Sequence, residues 1–437
     1  VLRRIHGLDA AIVAFKDRSS KSDGNEPLTD GGGVYDAAMT PDAFAERVIA
    51  DVRSHGDQFV RRISKKLDGV EIDEFKVPAN VVAEAKHQLR PNEVEGLQLA
   101  ARRVGDFQAR TLPQSWRDDV EGYGEVAHPV QSAGCCIPGG TAPLASTVIM
   151  TAVPARVAGV PYVCVVTPPG KNGVPHPAVL AACHIAGVDD VFAVGGAQAV
   201  AALAVGTESI PKVDVICGPG SLWVTAAKRR VYGMVGVDGI YGPTETMVIV
   251  NDNSDAAVAA ADLLAQAEHD VVAAPVLVAL SDRSVDAVES ELATQLERLP
   301  RAEIARKALM GRGAAVVVDS IAEALKVAEV FAPEHLCLGF AGANEMLGDV
   351  RHAGGIFLGE RSGEVMADYV AGPSHVMPTG GSARFSSALS ARDFIRVTPF
   401  LDMDQSTYDS IAGAASDLAR LEMLEAHALA AEIRRKR

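Results

Sequence analysis

The sequence predicts an α/β fold with two Rossmann-like parallel-sheet domains plus small N-terminal and C-terminal helical arm segments. Three observations predict it. Short β-rich runs alternate with helix-like stretches across residues 126–250 and again across 251–380, the pattern of successive βαβ units. Alanine and valine dominate, with 40 Gly and only 5% aromatic residues, a composition suited to strands covered on both faces. The 437 residues also exceed what one hydrophobic core holds, since single cores stop growing near roughly 250–300 residues.

The elements follow in order. VLRRIHGLDAAIVAF opens the chain as an amphipathic segment, and residues 17–33, DRSSKSDGNEPLTDGGG, read as a mobile linker. TPDAFAERVIADVRSHGD predicts a helix from its Thr40 cap, Pro41 in the first turn and an acidic residue close behind. Further helical stretches run to about residue 112. Strands are expected at YVCVVTPP, DVFAVGG, DVICGPG and ETMVIVND, with helices at HPAVLAACHIAG, AQAVAALAVG and LWVTAAKRRVYG between them. APVLVALS, AAVVVDS and GGIFLG supply the strands of the second α/β stretch. From residue 405 the chain reads as helix, closing on IRRKR, whose cations suit a helix C-terminus. The expected division is 1–34 for the N-terminal helical arm and linker; 35–127 plus 244–385 for a first, discontinuous α/β domain; 128–243 for a second α/β domain with a nucleotide crevice; and 386–437 for the C-terminal helical arm.

Composition excludes several function classes. A formal net charge of −15 argues against a nucleic-acid grip and against anionic membrane surfaces. No apolar run approaches a membrane span, and the N-terminus has no signal-peptide cleavage pattern. The six cysteines form no C-x-x-C pair, and several sit in apolar runs as small hydrophobes. A reducing cytoplasm is the expected compartment.

No G-x-G-x-x-G follows a strand. Three other glycine-rich turns, IPGGTA (137–142), VGGAQA (194–199) and CGPGS (217–221), fall where a strand ends or a helix begins. Their backbone N–H groups can hold a phosphate or carboxylate. Each alone is equally an ordinary tight turn.

Four patches carry candidate chemistry. LLAQAEHD puts Gln266 and His269 three positions apart on a predicted helix, where i and i+3 are surface neighbours. That spacing fits a pair gripping one ligand, and equally a core histidine beside a polar neighbour. In FAPEHL, Pro333 ends a helix and delivers Glu334 and His335 on a turn, a carboxylate–imidazole pair suited to general acid–base work or merely solvated. MADYVAGPSHVMPTGGSARFSS offers Asp368 and His375 around a Gly-Pro turn, in a tract able to line a cleft. Glu422 and His427 share the terminal helix, but five residues correspond to about 140° on a regular helix. Such a pair serves one site only if the helix bends or enters a wedge-shaped cleft. Together Gln266, His269, Asp368 and His427 are borderline-to-hard N/O donors without thiolate, a set suited to zinc or a similar divalent ion with open positions.

LLAQAEHD, YGPTE, FAPEHL, GGIFLG, DYVAGPSHVMPT and the Glu422–His427 tail resemble histidinol dehydrogenase, in order and without large gaps from about residue 35 to the end. The resemblance implies that Gln266, His269, Asp368 and His427 bind one zinc ion per subunit. It implies Glu334 and His335 as the general acid–base pair, and Thr244, His375 and Glu422 as substrate contacts alongside His335 and the four metal ligands. It implies an intertwined homodimer in which the C-terminal arm brings Glu422 and His427 to the partner. The implied reaction is oxidation of L-histidinol by two NAD⁺, through an enzyme-held aldehyde, to L-histidine in histidine biosynthesis. Two departures bear on the dinucleotide. The family's tyrosine before the IPGG-type loop is Cys136 here, and its asparagine after the G-P-G turn is Ser221, while Gln198 is retained. Loss of an aromatic platform and an amide is expected to weaken or reposition NAD. The rival readings are a zinc- and NAD-dependent dehydrogenase of another small polar alcohol, a metal-dependent hydrolase using Glu334 on bound water, and a non-catalytic metal-binding or assembly protein.

Overall fold

The computed structural model of the chain describes residues 2–16, 34–35, 38–139 and 142–435. The expected linker at 17–33 therefore lies outside the described residues, as do Gly140 and Thr141 of the first glycine turn. Contacts divide the chain into two compact units. One holds the residues up to Thr111 together with Gln131–Phe394; the other holds Leu112–Val130 and the chain from Ile395 onward.

The first unit contains two parallel sheets with the same winding. In the six-stranded sheet, Glu245–Val250 is central, flanked on one side by Ala274–Ala279 and Ala314–Val317 and on the other by His335–Leu338 and Gly355–Leu358. Arg3–His6 adds the sixth strand, parallel to Ala314–Val317. In the five-stranded sheet, Ser132–Cys136 is central, with Tyr162–Thr167 and Asp190–Ala193 to one side and Val215–Cys217 and Gly236–Val237 to the other. In both sheets the chain winds outward one way, returns to the centre and winds the other way, the Rossmann-like order with a switch point beside the central strand. Two such sheets are what the alternating runs predict.

The apolar runs are continuous because each strand feeds two cores. Val248, Val250, Leu277 and Cys337 pack into one, while Met247, Ile249, Val276, Val278, Leu336 and Leu338 pack into the other. Successive side chains alternate across the sheet, so helices on both faces require apolar residues at every position. Among the described residues no helix is long and apolar enough to cross a membrane.

Both ends differ from the helical arms expected. Arg3–His6 is an edge strand that precedes the helix Leu8–Phe15. Only Ile5 of its four residues is buried, a period too short to read without its partner strand, while Arg4 pairs outward with Asp282 and Glu289. In the second unit, Ile395–Leu401 pairs antiparallel with Tyr123–Pro129. Helices Gln405–Leu421 and Glu425–Arg435 follow, separated by a break at Met423, whose φ is +59°.

Candidate active site

The candidate residues of the first unit gather at the amino edge of the six-stranded sheet, beside its switch point. Thr244 immediately precedes the central strand, and Glu334 immediately precedes the strand His335–Leu338 that pairs with it. The helix Ala256–Ala267 runs back antiparallel to the strands, so its last turn delivers Gln266 to the same edge. The six-residue helix Glu364–Tyr369 brings Asp368. Ligands of open α/β sheets ordinarily sit at the carboxyl ends of the strands; here the titratable cluster lies at the opposite end.

Thr244 is the hub. Its Oγ1 stands 2.7 Å from Gln266 Oε1 and 2.7 Å from Glu334 Oε2. One hydroxyl proton serves one acceptor, so Thr244 donates to Gln266 when Glu334 is protonated, or to Glu334 when the Gln266 amide turns its NH₂ inward. Burial pushes the Glu334 carboxyl up to about 7, even though His335, Thr244 and the Glu245 N–H at 2.9 Å favour its charge. This carboxyl can therefore exchange a proton near neutral pH.

His335 is held in one orientation. Its Nδ1 lies 3.0 Å from the Glu245 carbonyl, which accepts from it, and Phe357 stacks on the ring at 5.8 Å between centroids. In the neutral ring that hydrogen bond places the proton on Nδ1 and leaves the lone pair on Nε2. Nε2 is buried without a hydrogen-bond partner among the described residues, 3.6 Å from Asp368 Oδ1, and Nδ1 is 3.7 Å from Glu334 Oε2. Burial presses the imidazole down, but Glu364, Glu334 and Asp368 outweigh it and raise its pKa to about 10. Conversely, burial raises Asp368, but His335 and the neighbouring histidines bring it below the usual carboxylate range. His375 donates from Nδ1 to the Asp368 carbonyl at 2.9 Å, and its Nε2 meets Thr147 Oγ1 at 3.1 Å; burial lowers its pKa.

Several expectations need correction. Glu334 and His335 are not turn residues facing solvent: they are 7% and 2% exposed, and His335 begins a central strand. Pro333 ends the helix as expected, but the next residues are drawn into the sheet by pairing that is invisible locally. His269 is not on the helix with Gln266. The helix stops at Ala267, and a tightened turn, His269 N–H to the Gln266 carbonyl at 3.1 Å, carries the imidazole onward. His269 is exposed along one edge and within electrostatic reach of Asp368 and His335, and the protein around the rest of the ring lowers its pKa. Glu422 and His427 belong to the second unit, where both are exposed. They do not share a regular helix: Glu422 ends one, Met423 breaks it, and His427 lies on the next.

Glu364 escaped the sequence reading. It is fully buried, and its Oε2 accepts from Thr246 Oγ1 at 2.7 Å. Thr246 is the register partner of His335, so this carboxyl lies on the same face of the sheet as the imidazole. Only the strand register could have revealed it.

Among the described residues, no three His, Cys, Asp or Glu groups stand close enough to hold a metal ion. Even so, the donors present fit a divalent cation in kind. Gln266 offers an amide oxygen, His269 has a lowered pKa and Asp368 is ionised, and a metal requires imidazole neutral and carboxylate charged.

The glycine turns meet at the other sheet. A cavity of about 130 Å³ is lined by Cys136–Gly139, Val166, Pro168, Gly195, Gly196 and Pro219–Ser221. These residues follow four adjacent parallel strands, so the cavity occupies the carboxyl-end switch point. Cys136 contributes a thiol that burial pushes up to about 12, hence a neutral wall. Ser221 caps the helix Leu222–Val231 by backbone conformation without a side-chain capping bond. Gln198 is buried; its Nε2 donates to Ser64 Oγ at 3.4 Å, and its Oε1 has no hydrogen-bond partner among the described residues.

A family model described as histidinol dehydrogenase matches residues 37–435. The chain is 47% identical to histidinol dehydrogenase of Deinococcus radiodurans over 92% of this chain and 93% of that protein. It is 44% identical to the Thermus thermophilus enzyme over 91% of this chain and 95% of that protein. Among solved structures it is similar to histidinol dehydrogenase from Elizabethkingia anophelis, with a TM-score of 0.89, 29% identity, and 100% and 98% of the two chains covered. With two Rossmann-like sheets, a buried Glu-His pair and relatives matching along nearly its whole length, this chain belongs to the histidinol dehydrogenase family.

Proposed function

We propose that the protein oxidises L-histidinol through L-histidinal to L-histidine, transferring two hydrides to two NAD⁺, as a soluble cytoplasmic step of histidine biosynthesis. The observation that carries this reading is the buried Glu334–His335 pair, with Nδ1 of the histidine tied to a carbonyl and Nε2 left free. The neighbouring carboxylates favour the charged ring; a divalent cation held by Asp368 would offset them and favour the neutral imidazole, whose Nε2 would then take the hydroxyl proton in the first oxidation. Glu334, a carboxyl that exchanges protons near neutrality, suits activation of water on the aldehyde before the second. Thr244, His375 and Glu422 would contact the substrate. Gln266, His269, Asp368 and His427 would hold zinc, which would supply a fixed point for orienting the substrate. The 128–243 region would take the dinucleotide in the glycine-lined cavity, with Cys136 and Ser221 in its lining and Gln198 beside Gly196, the three contact positions carried over from the family. The test is stoichiometry: two NADH per alcohol consumed, with no free aldehyde. One NADH per alcohol, or a preference for an alcohol without imidazole, would overturn it.

His427 and Glu422 reach a site on this reading through a homodimer with exchanged C-terminal arms. The second unit supports that, because Leu418, Leu421, Leu429 and Ile433 on its helices and Met423 between them are all exposed, apolar side chains that a partner would cover. Complementation tests it. Glu334→Gln and His427→Asn homodimers are each expected to be nearly inactive. In coexpressed mixtures half the dimers would be hybrids with one complete site of two, restoring about a quarter of wild-type activity. A mixture as inactive as its parents would mean that each arm serves its own chain.

A further inference from the structure

We infer that the buried Lys228–Asp238 ion pair is a positioning device for the dinucleotide, acting through the CGPG turn; this rests on assigning the glycine-lined cavity to NAD. Lys228 lies on the helix Leu222–Val231 and Asp238 just beyond the strand Gly236–Val237, and their side chains are 2% and 0% exposed. Nζ meets Oδ1 at 2.5 Å. Both partners then grip one residue. Lys228 Nζ donates to the Gly218 carbonyl at 2.8 Å, and the Gly218 N–H donates to Asp238 Oδ2 at 2.8 Å. The two peptide groups flanking Gly218 are thus pinned by opposite ends of one salt bridge.

Gly218 has reason to be held. Its φ is +106°, and a Cβ there would lie 2.3 Å from the Cys136 carbonyl oxygen, so the turn packs backbone against backbone across the central strand. The next three residues, Pro219, Gly220 and Ser221, line the cavity, as do Cys136–Gly139. Buried ion pairs are seldom more stabilising than the apolar residues that could replace them. This one fixes the turn that leads into the Pro219–Ser221 lining, and a preformed wall lowers the ordering cost of binding. The Lys228 ammonium is engaged by Asp238 and Gly218 and lies 4.7 Å from the centre of the Tyr241 ring. Its influence on the dinucleotide is therefore exerted through the turn.

The experiment is steady-state kinetics on the full-length enzyme with NAD and alcohol varied separately. Lys228→Met and Asp238→Asn are each expected to raise KM for NAD about tenfold or more, with kcat at saturating NAD within about threefold of wild type and KM for the alcohol within about twofold. Lys228→Arg, which keeps a cation, should recover much of the loss. If either single variant yields no folded protein, the Lys228→Met/Asp238→Asn double variant carries the same expectation, since it leaves no lone buried charge. A lowered Tm with KM for NAD unchanged, or a fall in kcat with both KM values unchanged, would overturn the inference. Ser221→Trp, which fills the cavity, separates the two layers. If NAD binds this variant normally, the cavity is not its site. If Ser221→Trp blocks NAD while Lys228→Met leaves its KM unaltered, the positioning role alone fails.

Discussion

Glu334→Gln is expected to stall the reaction between its two oxidations, and His335→Asn to slow it from the start. Glutamine nearly matches glutamate in shape and can still accept the Glu245 N–H and bond Thr244, so the fold should survive. What it loses is the ability to take a proton. On the proposed roles the first hydride transfer needs His335, whereas hydration of the aldehyde needs Glu334. The glutamine variant should therefore form about one NADH per alcohol in a first turnover and accumulate aldehyde, with steady-state turnover down about 10²–10⁴-fold. The asparagine variant should fall by a similar factor without aldehyde, since the first oxidation is itself impaired. Rapid-quench measurement of NADH and aldehyde, with melting curves to establish folding, separates the outcomes. Indistinguishable product patterns for the two variants would sink the division of labour, and near-wild-type turnover in both would favour a non-catalytic role.

The fold was largely legible because its signal is local. ETMVIV, YVCVVT and APVLVA are apolar at nearly every position, as strands between two helical layers must be, and the Thr40 cap marks its helix, with Oγ1 accepting from the Ala43 N–H at 3.3 Å. What escaped was pairing at a distance. Arg3–His6 is a strand only because Ala314–Val317 lies beside it, and Ile395–Leu401 only because of Tyr123–Pro129. The site divides in the same way. Residue types were readable in the motifs, but the burial of Glu334 and His335 comes from strand register, and Glu364 is tied to His335 only through Thr246. The break at Met423 also dissolves the helical-face difficulty of Glu422 and His427, because a left-handed residue separates their helices.

Exhaustive chelation is expected to abolish turnover, and zinc to restore it. The donors assigned in the first unit are an amide oxygen, one imidazole and one carboxylate, with no thiolate. Such a set holds zinc less tenaciously than the cysteine-rich sites of structural zinc. Gln266 must also share its amide with Thr244, 2.7 Å away, which further favours exchange. The loss should be at least about 10²-fold, the order of cost when a substrate is held out of place. It should appear first in substrate binding: metal-free protein should bind the alcohol weakly and NAD normally, because the glycine-lined cavity lies at a different sheet and contains none of the metal donors. Asp368→Asn should mimic chelation at low zinc and be partly rescued at high zinc, since it removes a charged ligand but keeps an oxygen. Calorimetry of both ligands, with and without metal, reads these differences directly. Alcohol binding that is equally tight before and after metal removal would mean that Gln266, His269 and Asp368 hold the substrate themselves.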